Sequence, residues 1–241
     1  MSESFQLYLD SVNADVNNNE YTFNLPLLEV QDGYYLYFSI VNCTIPYSFY
    51  NINLNNNILN YKINNINYTL IIPIGNYSIS NLVSYLNSQL PNFTITYSKI
   101  FNKITFTNSL NDFILNASNF LLLIGFNNSN YISTSRTLIS PNCININYVR
   151  CINLISNIVT YNVNTSKNLV NNNNIICSIP VNTPANTLIQ YLNTNNFRTN
   201  LFVNTLNKIV IKLVDNNNNI IDLNGLNFNL TVQLDVESFR Q

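Results

Sequence analysis

Residues 34–46 read YYLYFSIVNCTIP, with no glycine and no charged side chain. Aromatic and β-branched residues suit a pleated strand, so the stretch reads as one long strand. Shorter segments of the same kind lie on both sides. In 5–12 (FQLYLDSV), Phe5, Leu7 and Leu9 fall on one face of an extended chain. Further strands are expected at 21–25, 68–73, 144–149, 175–179, 208–214 and 227–236. Segments 94–98 and 103–107 flank the turn 99–102 and read as a hairpin, and VDNNNNIIDL (214–223) reads as a turn between strands. Short alternating segments divided by turn residues are the all-β pattern.

Helix is scarce. The best candidate is SISNLVSYLNSQL at 78–90, where Ile79, Leu82, Val83, Leu86 and Leu90 recur at helical spacing. Ser78 or Ser80 can cap its start, and Pro91 follows its end. A second short helix is expected at 117–123, and small helical turns near 184–192. The block 61–132 carries the main helix, the hairpin and the most apolar run. No Pro- or Gly-rich linker divides the chain, so 61–132 reads as an inserted α+β segment, with 1–60 and 133–241 forming one sandwich.

Charge is almost missing. Asp, Glu, Lys and Arg make up 9% of the 241 residues, against about 25% in ordinary domains. Asparagine has taken their place, with 54 residues, and only six are Lys. A nucleotide bias towards AT inflates Asn, Ile, Tyr and Phe together, but it would inflate Lys as well. Polar surface is kept while charge is excluded, and sparse surface charge favours association over repulsion. Asn also suits turns, because it tolerates positive φ and bonds nearby backbone. With only four Gly in the chain, Asn is expected to fill most left-handed positions.

The same composition argues against most chemistry. There is no His, and the four glycines are isolated, so no general base of the usual kind and no phosphate loop is written here. Cys43, Cys143, Cys151 and Cys177 form no C-x-x-C pair, and they are expected to be reduced packing residues rather than zinc ligands. Asp235 and Glu237 share a face of the last strand and read as a solvated edge. Basic residues are scattered singly, unlike the clusters that nucleic acid requires. No run approaches the ~20 apolar residues of a membrane span, and the first residues do not read as a secretory signal. An enzyme is not expected, nor any catalytic, cofactor-binding or metal-binding residue.

Aromatic residues are plentiful, with 16 Tyr and 14 Phe. The densest cluster is Tyr47, Phe49 and Tyr50, in IPYSFYNIN. It reads either as an aromatic plug over the core at a strand end or as an intersubunit contact.

Several segments in order carry a family resemblance: FQLYLDSVNADVNNNEYTFNLP, GYYLYFSIVNCTIPYSFYNIN, YTLIIPIGNYSISNLVSYLNSQL, FTITYSKIFNKITFTN and NNIIDLNGLNFNLTVQLDV. Together they resemble the minor capsid, or penton, proteins of virophages and Polinton-like viruses of protists. That resemblance implies a single jelly-roll β-sandwich of two antiparallel four-stranded sheets. It also implies a homopentamer at each vertex of an icosahedral capsid, with major capsid proteins as neighbours and the virion as its location. The alternatives are a carbohydrate- or receptor-binding jelly-roll module, such as a spike head, and a minor cement protein of the capsid.

Overall fold

The computed structural model describes residues 3–147, 149–158, 174–201, 203 and 205–238. It divides into two compact units, residues 1–49 with 149–241, and residues 50–148. The first unit opens with β1 (Glu3–Asp10), β2 (Asp15–Asn17), β3 (Glu20–Glu29) and β4 (Tyr34–Pro46). The second unit holds β5 (Ile58–Ile63), β6 (Ile66–Ile71), α1 (Ile79–Gln89), β7 (Phe93–Ser98) and β8 (Lys103–Asn108). It continues with β9 (Phe113–Asn116), α2 (Asn119–Leu123), β10 (Tyr131–Ile132) and β11 (Thr137–Ile139). The chain then returns to the first unit with β12 (Cys151–Ser156), β13 (Ile175–Pro180), β14 (Leu188–Leu192), β15 (Thr199–Leu201), β16 (Thr205–Val214) and β17 (Asn229–Ser238). The expected block 61–132 lies within the second unit, which also takes in 50–60 and 133–148.

The first unit has two antiparallel sheets. One runs β1-β17-β4-β14, with β15 also paired to β4. The other runs β13-β12-β16-β3-β2. β14 covers Asn42–Pro46 of β4 and β15 covers Leu36–Phe38, while β17 follows the opposite edge of β4 from Tyr34 to Thr44. The two short strands therefore share one edge in succession. Count the main strands in chain order as β1, β3, β4, β12, β13, β14, β16 and β17. The sheets then read first-eighth-third-sixth and fifth-fourth-seventh-second, which resembles the alternation of jelly rolls. Each sheet carries one strand beyond the expected four, β15 and β2. The split between β14 and β15 has a local cause. Asn193 turns the chain by donating Nδ2 to the Phe197 carbonyl at 2.7 Å and accepting the Phe197 N–H on Oδ1 at 2.9 Å.

The core lies between these sheets, and β4 shows how the sequence aims it. Leu36, Phe38 and Ile40 are buried, and then Cys43 and Ile45. The inward set changes from even to odd numbers at a bulge. Val232 of β17 faces Ile40 and Thr231 faces Asn42, so Val41 has no partner on that strand. One extra residue flips every later side chain to the other face. Leu230, Val232 and Leu234 of β17 and Ile209, Ile211 and Leu213 of β16 are buried in the same way. Just before β17, Phe228 meets Tyr21 of β3 edge-on, with ring centroids 4.8 Å apart.

The second unit has sheets β10-β9-β5-β6 and β11-β8-β7. Ser78 caps α1, its Oγ accepting the Asn81 N–H at 3.1 Å. Leu82 and Leu86 of α1 are fully buried in one cluster with Leu59, Phe93, Phe106 and Phe113. Phe93 and Phe113 pack edge-on at 4.8 Å. Burying such side chains is worth about 1.5–3 kcal/mol each. The strand expected at 144–149 is absent over 144–147, and Tyr148 lies outside the described residues. Ile144 and Ile146 instead pack as anchors against the second core. The residues 188–192, read as helical turns, form β14.

Asparagine is the chain's substitute for both glycine and backbone. Among the described residues, ten of the twelve non-glycine positions with positive φ are Asn. In addition, the Asn51, Asn87 and Asn193 amides each bind both the N–H and the carbonyl of a single other residue: Tyr77, Ile95 and Phe197 respectively.

Candidate functional site

With no catalytic constellation written in the sequence, the candidate site is a surface. Its first part is the end of β4. The Tyr47 N–H donates to the Thr187 carbonyl at 2.8 Å, and the Asn186 N–H donates to the Tyr47 carbonyl at 2.9 Å. This backbone pairing turns the ring of Tyr47 onto Phe49. The rings stack with centroids 4.3 Å apart and planes 19° from parallel. Only 6% of Tyr47 and 5% of Phe49 is exposed. The next aromatic, Tyr50, is the first residue of the second unit and is 38% exposed. The sequence cluster thus divides into two buried rings and one available ring.

The second part is the outer face of the β1-β17-β4-β14 sheet. Paired residues share a face, and the register aligns Ser4 with Asp235, Asp235 with Tyr37 and Tyr37 with Asn200. The neighbouring row is Gln6, Gln233 and Ser39. Tyr8 is 77% exposed and Tyr35 37%. The face is therefore mostly tyrosine, glutamine, serine, threonine and asparagine, with Asp10 at one end of β1 and one cluster of ion pairs. Arg198 bonds both Glu237 carboxylate oxygens, at 2.5 and 3.1 Å, and sits 3.8 Å from Asp235. Its guanidinium carbon also stands 4.2 Å from the Tyr37 ring centroid. Asp235 Oδ1 accepts from Ser4 Oγ at 2.7 Å and from Gln233 Nε2 at 2.9 Å.

This arrangement corrects the reading of Asp235 as an edge residue. Asp235 is paired on both sides, with Ser4 of β1 and Tyr37 of β4, whereas Glu237 pairs with Tyr35 of β4 and takes Arg198 as its bidentate partner. Sequence reasoning misses Arg198 because it arrives from the loop before β15, far away in sequence. The alternation Tyr35, Tyr37 in β4 is the available signal for an aromatic platform.

The thiols are free. Cys43 is buried, Cys151 and Cys177 are half-buried, and Cys143 is exposed. Burial pushes the Cys43 thiol far up, and a Cys177 charge nearby adds to the shift. Burial also raises Cys177, and the same burial pushes the Tyr191 hydroxyl up to about 12. These groups stay neutral in the core. Among the described residues no three His, Cys, Asp or Glu side chains converge as a metal site. No helix among them is long and apolar enough to cross a membrane.

No protein-family model matches this sequence, and no curated protein does. Solved structures do match in fold. The mavirus penton protein aligns over 98% of this chain and 100% of its own, with a TM-score of 0.53 and 10% identity. The chain is similar in fold to the mavirus penton protein. A chain from the structure of the Sputnik virophage aligns over 99% of this chain and 98% of its own, with a TM-score of 0.47 and 14% identity.

Proposed function

We propose that this chain is a penton-type capsid protein: a single jelly roll with a second unit between its third and fourth main strands. In this reading five copies close a ring at a capsid vertex, in contact with major capsid proteins. The observation that carries the reading is the end-to-end fold likeness to the mavirus penton protein, which takes in both units and leaves neither chain with an unmatched domain. The strand order supports it, as does the charge-poor outer sheet face. A ring of one chain type joins a patch on each copy to a different patch on the next. Interfaces gain from aromatic residues and lose little when charge is absent. We assign the Tyr8–Tyr35 sheet face to one such contact and Tyr50 to another, with Tyr47 and Phe49 as the buried support of the chain leading to it.

The test is native mass spectrometry of the purified protein. An assembly of five 27.6 kDa chains supports the reading. A monomer that binds glycans on an array would favour a receptor-binding module instead.

A further inference from the structure

The β7–β8 hairpin ends in Lys99-Ile100-Phe101-Asn102, and its apex is built against expectation. Hairpin turns favour Asn, Gly and Asp. Here two large apolar side chains sit at the tip, Ile100 with 88% and Phe101 with 69% of its surface exposed. The tip is held firmly. Tyr97 Oη donates to Asn102 Oδ1 at 2.9 Å, and the Ile144 N–H donates to the Asn102 carbonyl at 2.9 Å. Lys103 Nζ donates to the Pro141 carbonyl at 2.9 Å. The Phe101 N–H reaches Ser98 Oγ at 3.4 Å. Loop 141–145 thus buttresses the turn while leaving the two side chains in water.

The charged side chains of the hairpin have one sign. Lys99 is exposed at the tip and Lys103 stands at its base. The outer face beneath them is uncharged: Thr94 pairs with Thr107, Thr96 with Thr105, and Thr107 with Thr137. Residues 50–148 hold four basic side chains, Lys62, Lys99, Lys103 and Arg136, and a single acid, Asp112. That acid lies at the opposite end of the sheet, where its carboxylate accepts the Arg136 N–H at 2.7 Å and Ser133 Oγ at 2.9 Å.

We propose that the 99–102 apex is a membrane-contact site, which places Ile100 and Phe101 into the headgroup–acyl boundary of an anionic bilayer while Lys99 and Lys103 meet the lipid phosphates. Exposed apolar side chains flanked by two lysines match a surface that is negative outside and apolar just beneath. A purely acidic protein patch would satisfy the lysines and leave the Ile–Phe pair in water. One apex inserts weakly, so several copies on one assembly would bind far more tightly than one. The site is independent of the pentamer reading, because a single chain presents it.

The chain has no Trp, so Phe101→Trp gives a unique reporter. Its emission is expected to shift to the blue, and to be quenched by brominated acyl chains, on adding vesicles of phosphatidylcholine mixed with phosphatidylserine. In co-sedimentation the Ile100→Ser/Phe101→Ser double variant is expected to bind at least about tenfold more weakly, and Lys99→Gln about fivefold more weakly. Both alter exposed side chains, so their melting temperatures serve as the folding control. If the double variant fails to fold, the emission experiment decides alone. No shift on vesicles, binding that survives the double substitution, or equal binding to phosphatidylcholine alone would overturn the proposal. So would an emission shift of the Phe101→Trp variant that appears only when chains associate, without lipid, since the apex would then be a protein contact.

Discussion

Asn87 of α1 binds Ile95 of β7 as a strand would: its Nδ2 donates to the Ile95 carbonyl at 2.8 Å and its Oδ1 accepts the Ile95 N–H at 2.7 Å. β7 is the last strand of its sheet, and an open edge invites pairing with another chain. The side-chain amide closes part of that edge without a charge. Here the excess of asparagine becomes physical: the residue supplies backbone-like hydrogen bonds where other proteins use strands or lysines. Asn87→Ala is expected to cost about 1–2 kcal/mol, read as a shift in the denaturant midpoint. An unchanged midpoint would mean that the paired bonds add nothing beyond water.

Gly125 is held by two constraints at once. Its φ is +86°, and a Cβ would lie 2.4 Å from the Asn142 carbonyl oxygen. The close approach is part of the same packing, since the Asn142 N–H donates to the Gly125 carbonyl at 2.9 Å. Gly125→Ala is expected to destabilise the protein by more than about 2 kcal/mol, from the left-handed penalty together with the clash. A thermal melt indistinguishable from the parent would contradict this packing.

Asp112 ties the start of β9 to the turn before β11. Hydrogen bonds from the Arg136 N–H, first, and Ser133 Oγ hold its carboxyl below the ordinary carboxylate value. A depressed carboxylate stabilises the fold above its unfolded pKa, about 3.9, and loses that contribution as pH falls through the folded value. Stability is therefore expected to decline below about pH 4. Asp112→Asn should flatten this part of the profile. An identical acid limb in parent and variant would show that other carboxylates control it.

The thiols are expected to react in order of exposure. Cys143 should be alkylated first in the native protein, and Cys43 last, because burial both hides it and disfavours its thiolate. Timed labelling followed by peptide mass spectrometry reads the order. Early modification of Cys43 would contradict its burial.

Much of the fold is legible in local pattern, and the exceptions share a cause. The helix at 78–90 announces itself because its apolar spacing, Ser78 cap and Pro91 stop all agree. β4 is legible because one long run has no competing signal. Residues 144–147 mislead because Ile144 and Ile146 alternate as in a strand, yet each plugs the second core from a loop held to Asn102. β14 is hidden behind Pro184 and the left-handed Asn186, whose turn chemistry masks the strand that follows. Of the aromatic cluster, sequence locates Tyr47, Phe49 and Tyr50 but cannot sort buried from exposed, because that depends on Thr187 pairing with Tyr47. The Arg198–Tyr37 contact is equally illegible, since β15 and β4 meet only in the folded sheet. The apex at 99–102 is readable as a turn, and its apolar content is the signal that a search for turn residues passes over.

The central claim, closed rings of five held by uncharged contacts, is tested most directly by sedimentation velocity at several protein concentrations in low and in high salt. Interfaces built on Tyr, Gln and Asn gain little from Coulomb attraction, so salt has little to screen. The expected result is one discrete species of five chains whose population rises with concentration and barely changes with salt. A two-fold dimer, a persistent monomer, or an assembly that falls apart as salt rises would contradict it.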